Sequence, residues 1–212
     1  VCQGEWVNSI RMLDKLGRVR LSQNFWMREF LYSEVANLHG IPNVPDDPDL
    51  AIEAGTRLCT ELLEPLQRTF GKVLIRSAYR SCTVNGFCNE QMLLKKGGYT
   101  CASNQKNYAD HIWDRRDSQG NMGATACIVI PWFADRFENT EWRKLAWWIH
   151  DHLPYSSLFF FPKMSAFNIQ WREQPERWIQ SYIEPKGYLT RRGMPNHDGL
   201  HRSEYEGLPD LA

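Results

Sequence analysis

The stretch Lys72–Asn85, KVLIRSAYRSCTVN, carries three apolar residues, Val73, Leu74 and Ile75, into a polar loop that presents Arg80 and Asn85. An arginine just past the end of a buried strand is a fixed guanidinium fork, suited to a carboxylate or a phosphate. Its plainer use is to hold a loop through hydrogen bonds to carbonyls. His111 follows with Asp110, Asp114 and Asp117 around it, and Cys127 sits in the apolar run Ala126-Cys-Ile-Val-Ile. Imidazole, thiolate and carboxylate are zinc ligands, and a cysteine beside a histidine can also form a nucleophilic pair, with Asp114 or Asp110 orienting the ring. Against that second chemistry, a cysteine inside an apolar strand is usually an inert buried thiol.

The elements that must position these groups follow from periodicity. Ser22 reads as the N-cap of a short helix from Asn24 to about Leu31. A proline-rich loop, Gly40–Pro48, leads to Asp47 or Asp49, which opens a long helix. Leu50, Ala54, Leu58, Leu62 and Leu66 form its core-facing stripe, Pro65 should kink it, and Gly71 ends it. Val73–Ile75 reads as a strand, Asn89–Lys96 as a helix, His111–Asp117 as a strand and Ala124–Ile130 as a second, buried strand. Glu138–Leu153 is an amphipathic helix with His150 and His152 near its end. Leu158–Phe161 and Ala166–Trp171 form a hairpin, Pro175–Ile183 a last helix, and the tail from Glu184 is irregular. The sum is an α+β domain with a small, mostly antiparallel sheet and flanking helices. It divides into an N-terminal extension (1–20), a main domain (21–183) and a tail (184–212).

Composition narrows the function. The 212 residues balance 25 basic against 25 acidic side chains, so neither a nucleic-acid footprint nor a polybasic membrane surface is indicated globally. No apolar run reaches membrane-spanning length and no secretory signal is evident, which favours the cytoplasm, although a chain that starts at Val1 is compatible with processing. The six cysteines show no CxxC pair; reduced, unrelated thiols are the simplest reading. Cys82, Cys88 and Cys101 could alternatively be a disulfide plus a free thiol, or soft metal ligands.

Leu21-Ser-Gln-Asn-Phe-Trp-Met-Arg-Glu-Phe, Asn43-Val-Pro, Leu63-Glu-Pro-Leu-Gln, Ile75-Arg-Ser-Ala-Tyr-Arg-Ser and Val84-Asn85 occur in that order over about 65 residues. These motifs resemble the M15 family of zinc peptidases, D-alanyl-D-alanine carboxypeptidases, dipeptidases and phage endolysins that share the Hedgehog fold. The resemblance implies that Arg80, in the "YRS" motif, contacts substrate and stabilises developing charge. It implies a zinc site built from an SxHxxGxAxD motif and a later HxD strand. His111 matches the first ligand. Gly123-Ala-Thr-Ala-Cys-Ile fits the end of the first motif, which puts Cys127 where the family has aspartate. Phe167-Asn168-Ile-Gln170-Trp171 fits the second, with Asn168 for histidine and Gln170 for aspartate. One of three standard ligands survives, and asparagine is a weak neutral ligand for zinc.

The reading that follows is a zinc-peptidase-like fold with a non-standard site that binds a small anionic or peptide-like ligand. Arg80, His111 and Asp114 are its catalytic candidates, and Arg80, Asn85, Asn168 and Gln170 its substrate-binding ones. His111 and Cys127 are the metal candidates, with zinc as the cofactor if any is held. The alternatives are a metallopeptidase for cell-wall peptides with a rebuilt His/Cys site, and a non-catalytic partner-binding module that uses aromatic runs such as Trp147-Trp148 and Phe159–Phe161.

Overall fold

In the computed structural model, which describes residues 9–212, Ser9 caps a first helix, α1 (Ile10–Gly17), and Ser33 caps a second, α2 (Glu34–His39). Gly40 ends α2 in the left-handed conformation, at φ 63°. Of the expected N-terminal extension, residues 1–8 lie outside the described residues. The helix expected over Asn24–Leu31 is a bridge from Arg20 to Trp26 followed by a 3-10 turn, Met27–Phe30. Ser22 caps nothing there, because its hydroxyl donates to Glu64.

Asp47 does open the long helix: its Oδ1 accepts the Leu50 N–H at 3.1 Å. The helix runs as α3 (Pro48–Leu58), a π-helical turn (Cys59–Leu63) and α4 (Glu64–Phe70). Pro65 has no N–H to return to the preceding turn, and the helix adapts by widening just before it. Ala54, Leu58, Leu62 and Leu66 are fully buried, as their spacing predicts.

The rest alternates strand and helix. β1 (Leu74–Ser77) leads to α5 (Cys82–Leu93) and a single turn, α6 (Asn104–Asn107). β2 (Gly123–Val129), α7 (Pro131–Ala134) and α8 (Trp142–His152) follow. β3 (Ser157–Phe160), β4 (Phe167–Arg172), β5 (Trp178–Ser181) and β6 (Gly187–Arg191) complete one six-stranded sheet in the order β1-β2-β4-β3-β5-β6. The sheet is mixed: β3 and β5 are parallel and every other neighbouring pair is antiparallel.

Three expectations fail for identifiable reasons. His111–Asp117 is not a strand: Ala109 N–H bonds to the Arg115 carbonyl and Ile112 N–H to Asn107, so the segment closes on itself as turns. Pro175–Ile183 is not a helix. Ile179 and Ser181 are buried while Trp178 and Gln180 are half-buried, a period of two that β3 and β6 recruit into the sheet. The tail is not wholly irregular, since β6 continues the sheet beyond residue 183.

The register divides the sheet into two unlike faces. Ala124, Ala126, Ile128, Phe167, Ile169, Trp171, Leu158, Phe160 and Ile179 are buried and belong to the core that includes α3, α4 and α8. Phe160 lies between Trp142 and Phe167, with ring centroids at 4.9 and 4.7 Å. Thr125, Cys127, Asn168, Gln170, Ser157, Phe159 and Gln180 alternate with these and face the other way. That second, polar face carries the candidate site.

Candidate functional site

The loop that presents Arg80 is clamped from both sides. Asn43 donates through Nδ2 to the Tyr79 carbonyl at 3.0 Å and accepts the Ser81 N–H through Oδ1 at 2.8 Å. Ser81 then caps α5, its Oγ accepting the Val84 N–H. Glu64, in turn, accepts from Ser22 Oγ, Asn24 N–H and Asn24 Nδ2, each at 2.7 Å. The separated motifs of the sequence are thus two hydrogen-bonded units, Ser22/Asn24 with Glu64 and Asn43 with the 79–81 loop. Both fix backbone, and neither engages the Arg80 side chain.

His111 enters from the 108–117 turns. Its backbone carbonyl accepts the Arg80 N–H at 2.8 Å. Its ring Nδ1 donates to the Ala78 carbonyl at 2.8 Å, which defines the tautomer and leaves Nε2 with a lone pair. Asn168 Nδ2 lies 3.4 Å from that Nε2. Burial, and then the positive charge of Arg80, push the His111 pKa down to about 4, so the ring is neutral at neutral pH. Cys127 pairs directly with Asn168 across β2 and β4. Burial raises its thiol pKa, against the opposing pull of Arg76, whose Nη1 is 4.0 Å from the sulfur. A buried protonated thiol is a poor nucleophile.

Arg80 itself is half-buried and, among the described residues, has no carboxylate within salt-bridge distance. Its Nη1 touches the sulfur of Cys101 at 2.7 Å. Cys101 is bonded to Cys88, which corrects the expectation of reduced, unrelated thiols at these two positions. Cys59, Cys82 and Cys127 are free. Burial lowers the Arg80 pKa, while the nearby carboxylates of Asp110 and Glu34 act to raise it.

Arg80, His111, Cys127 and Asn168 are brought together; Asp114, Asn85, Gln170 and Asp117 are engaged elsewhere. Asp114 is buried and its Oδ2 accepts the Asp46 N–H at 2.8 Å, so it holds the 46 loop, and burial raises its pKa. Asn85 is fully buried in α5, not in a loop, and donates to the Ala102 carbonyl and to Asn104 Oδ1. Gln170 is buried, donates to the Ala109 carbonyl and accepts from Ser157 Oγ. Asp117 closes its own turn by accepting the Gln119 and Asn121 N–H groups. Sequence reasoning missed Arg76, which a bulge between Ile75 and Ser77 turns toward Cys127. It also gave Asp110, bonded to Thr125 Oγ1, too small a part.

The donor set around His111 does not fit a catalytic zinc ion. One imidazole lone pair, a buried thiol and a neutral amide stand there, whereas such a site takes three good donors, and an amide is a weak neutral one. A second group could hold a metal ion: His150, Asp151 and His201 offer ligand atoms within 4.8 Å of one another. Those atoms are already engaged. His201 Nδ1 and its backbone N–H meet the two oxygens of Asp151, Tyr205 Oη donates to the same carboxylate, and His150 bonds to Tyr155 Oη and the His197 carbonyl. The network straps the C-terminal segment onto α8. Family models, curated proteins and solved structures offer no match to this chain. Among the described residues, no helix is long and apolar enough to cross a membrane.

Proposed function

We propose that the polar face of the sheet is a binding site for a small carboxylate or peptide-like anion, on a zinc-peptidase-like fold that works without the family's zinc. The observation that carries this reading is Arg80: a half-buried guanidinium with no ion-pair partner among the described residues, beside a neutral imidazole and an amide. A guanidinium partly withdrawn from water with no carboxylate in direct contact gains from an incoming one, which it can grip through two N–H groups. His111 Nε2 accepts a proton-bearing group of the ligand, and Asn168 supplies a neutral donor and acceptor. The clamped 79–81 loop keeps this geometry preorganised. The Cys88–Cys101 disulfide supports residence in an oxidising compartment rather than in the cytoplasm.

Calorimetric titration with N-acetyl-D-alanyl-D-alanine and with a monomeric uronate tests the reading. Binding of at least one anion, weakened about tenfold or more by Arg80→Ala and indifferent to a chelator, is the expected result. Binding untouched by Arg80→Ala, or chelator-sensitive hydrolysis of the dipeptide, would overturn it.

A further inference from the structure

The Arg80 Nη1 atom lies 2.7 Å from the Cys101 sulfur, and that sulfur is half of the Cys88–Cys101 bridge. A disulfide sulfur carries no net charge, so in the oxidised chain the guanidinium has a contact there and no counter-charge. Glu34 and Asp110 act on Arg80 without pairing with it, and Asp110 is bonded to Thr125 Oγ1. The loop that holds Cys101 does not depend on the bridge alone. The Asn89 amide donates to the Cys101 carbonyl at 2.8 Å, and the Asn85 and Asn107 amides both donate to the Ala102 carbonyl at 3.0 Å. These ties act on main chain, and they keep the Cys101 sulfur beside Arg80 when the bridge is open. Both sulfurs are shielded, Cys88 at 2% and Cys101 at 5% exposure. The chain between them is not: residues 93–98 are exposed, and local opening of that stretch admits a small reductant.

Reduction puts a charge where the oxidised chain has none. A dithiol attacks the Cys88 sulfur, the S–S bond breaks, and its electron pair leaves on the Cys101 sulfur. The second thiol of the reagent then displaces Cys88 from the mixed disulfide. The dithiol ends as a disulfide, and the two electrons it loses are those the bridge gains. Of its two protons, one goes to the Cys88 thiol and one to solvent, which leaves Cys101 as a thiolate against the guanidinium. A neighbouring arginine favours the thiolate, and a sulfur that ionises readily is the better leaving group. The three free cysteines differ, because burial raises the thiol pKa of Cys59, Cys82 and Cys127. We infer that the bridge is a redox switch on the anion site: oxidised, it leaves the Arg80 guanidinium open to an incoming carboxylate; reduced, the Cys101 thiolate pairs with Arg80 and shuts the ligand out.

This inference rests on the anion-site reading of Arg80, and the test separates the two. Cys88→Ala and Cys101→Ala both lose the bridge, but only the first keeps a sulfur beside Arg80. Both are titrated calorimetrically with N-acetyl-D-alanyl-D-alanine and with the uronate, next to oxidised and dithiothreitol-reduced wild-type chain, with thermal melts to confirm folding. The expected result is binding about tenfold or more weaker in Cys88→Ala than in Cys101→Ala, with the reduced wild type resembling Cys88→Ala. Ultraviolet absorbance should show one thiolate at neutral pH in Cys88→Ala and none in Cys101→Ala. Equal binding by the two variants, with Arg80-dependent binding by the oxidised wild type, would overturn the switch and leave the anion site standing. Absence of the thiolate would overturn the switch whatever binds. Absence of Arg80-dependent binding in the oxidised wild type would overturn the anion reading, and the switch with it. If loss of the bridge unfolds the chain, the rate of reduction by dithiothreitol decides. Arg80→Ala should slow it about tenfold by removing the partner of the leaving thiolate, and an unchanged or faster rate would overturn the inference.

Discussion

The Arg80 guanidinium reaches the Cys101 sulfur at 2.7 Å, and that sulfur is bonded to Cys88 in α5. The contact makes the disulfide one wall of the proposed anion site. It also closes the segment between residues 88 and 101, which is further tied by the Asn85, Asn89 and Asn104 amides and by Tyr99 Oη to His39.

Replacing both cysteines by serine should therefore cost stability and binding together. A bridge spanning 13 residues contributes about 3 kcal/mol by restricting the unfolded chain. Urea unfolding should show a loss of that order, and uronate titration a weaker Arg80 site. An unchanged midpoint in the double variant would mean that the asparagine ties alone hold the segment.

Acid should destabilise the fold through two histidines. Burial is the first cause that pushes His111 and His150 down to about 4, against about 6.5 for a free imidazole. Folding thus favours the neutral rings. Their contribution is complete above about pH 6.5 and is lost as the pH falls toward the folded-state values, about 3 kcal/mol for each ring. Urea midpoints measured from pH 7.5 to 4.5 should fall steadily. A His111→Gln variant should start less stable and respond less steeply; an equally steep response would assign the effect elsewhere.

Introducing the ligands of the zinc-peptidase pattern should create what the present donor set lacks. Asn168 faces His111 Nε2 at 3.4 Å, and Cys127 pairs with Asn168 across the sheet. A chain carrying Asn168→His and Cys127→Asp should bind about one zinc, measured by elemental mass spectrometry after dialysis. The wild-type chain should carry none. Stoichiometric zinc in the wild type, lost on Cys127→Ala, would reverse the assignment.

Gly123 should be irreplaceable where Gly86 is not. A Cβ at Gly123 would run into the Ala109 carbonyl and lie 3.0 Å from that of Trp171. A Cβ at Gly86 would meet only the Asn104 amide, at an ordinary 3.6 Å. Gly123→Ala should cost about 1–3 kcal/mol, and Gly86→Ala, inside α5, should be neutral or stabilising. Thermal melts of the two variants compare them directly; equal melts would show that the 109 turn yields.

Part of the helical scaffold was legible in the sequence because its residues do local work. Asp47 caps a helix, Gly71 ends one, and Leu58, Leu62 and Leu66 repeat at helical spacing. These follow from backbone geometry within a few residues. The motif resemblance puts Cys127 and Asn168 in one ligand pattern, and the direct pairing of the two across β2 and β4 is a finding of the structure.

Other features were decided by tertiary structure alone. Asp114 and Gln170 carry the chemistry of site residues, yet their atoms are consumed by Asp46, Ala109 and Ser157, partners far away in sequence. β5 and β6 are strands because β3 offers an edge, not because their residues insist on it. The choice of Cys88–Cys101 among six cysteines depends on how the 99–104 loop packs on α5, and the alignment of Phe159 and Gln180 with Asn168 and Cys127 depends on strand register. Register is a relation between segments: each strand's sequence says which side chains share a face, and only the packed partner says which residue stands beside which.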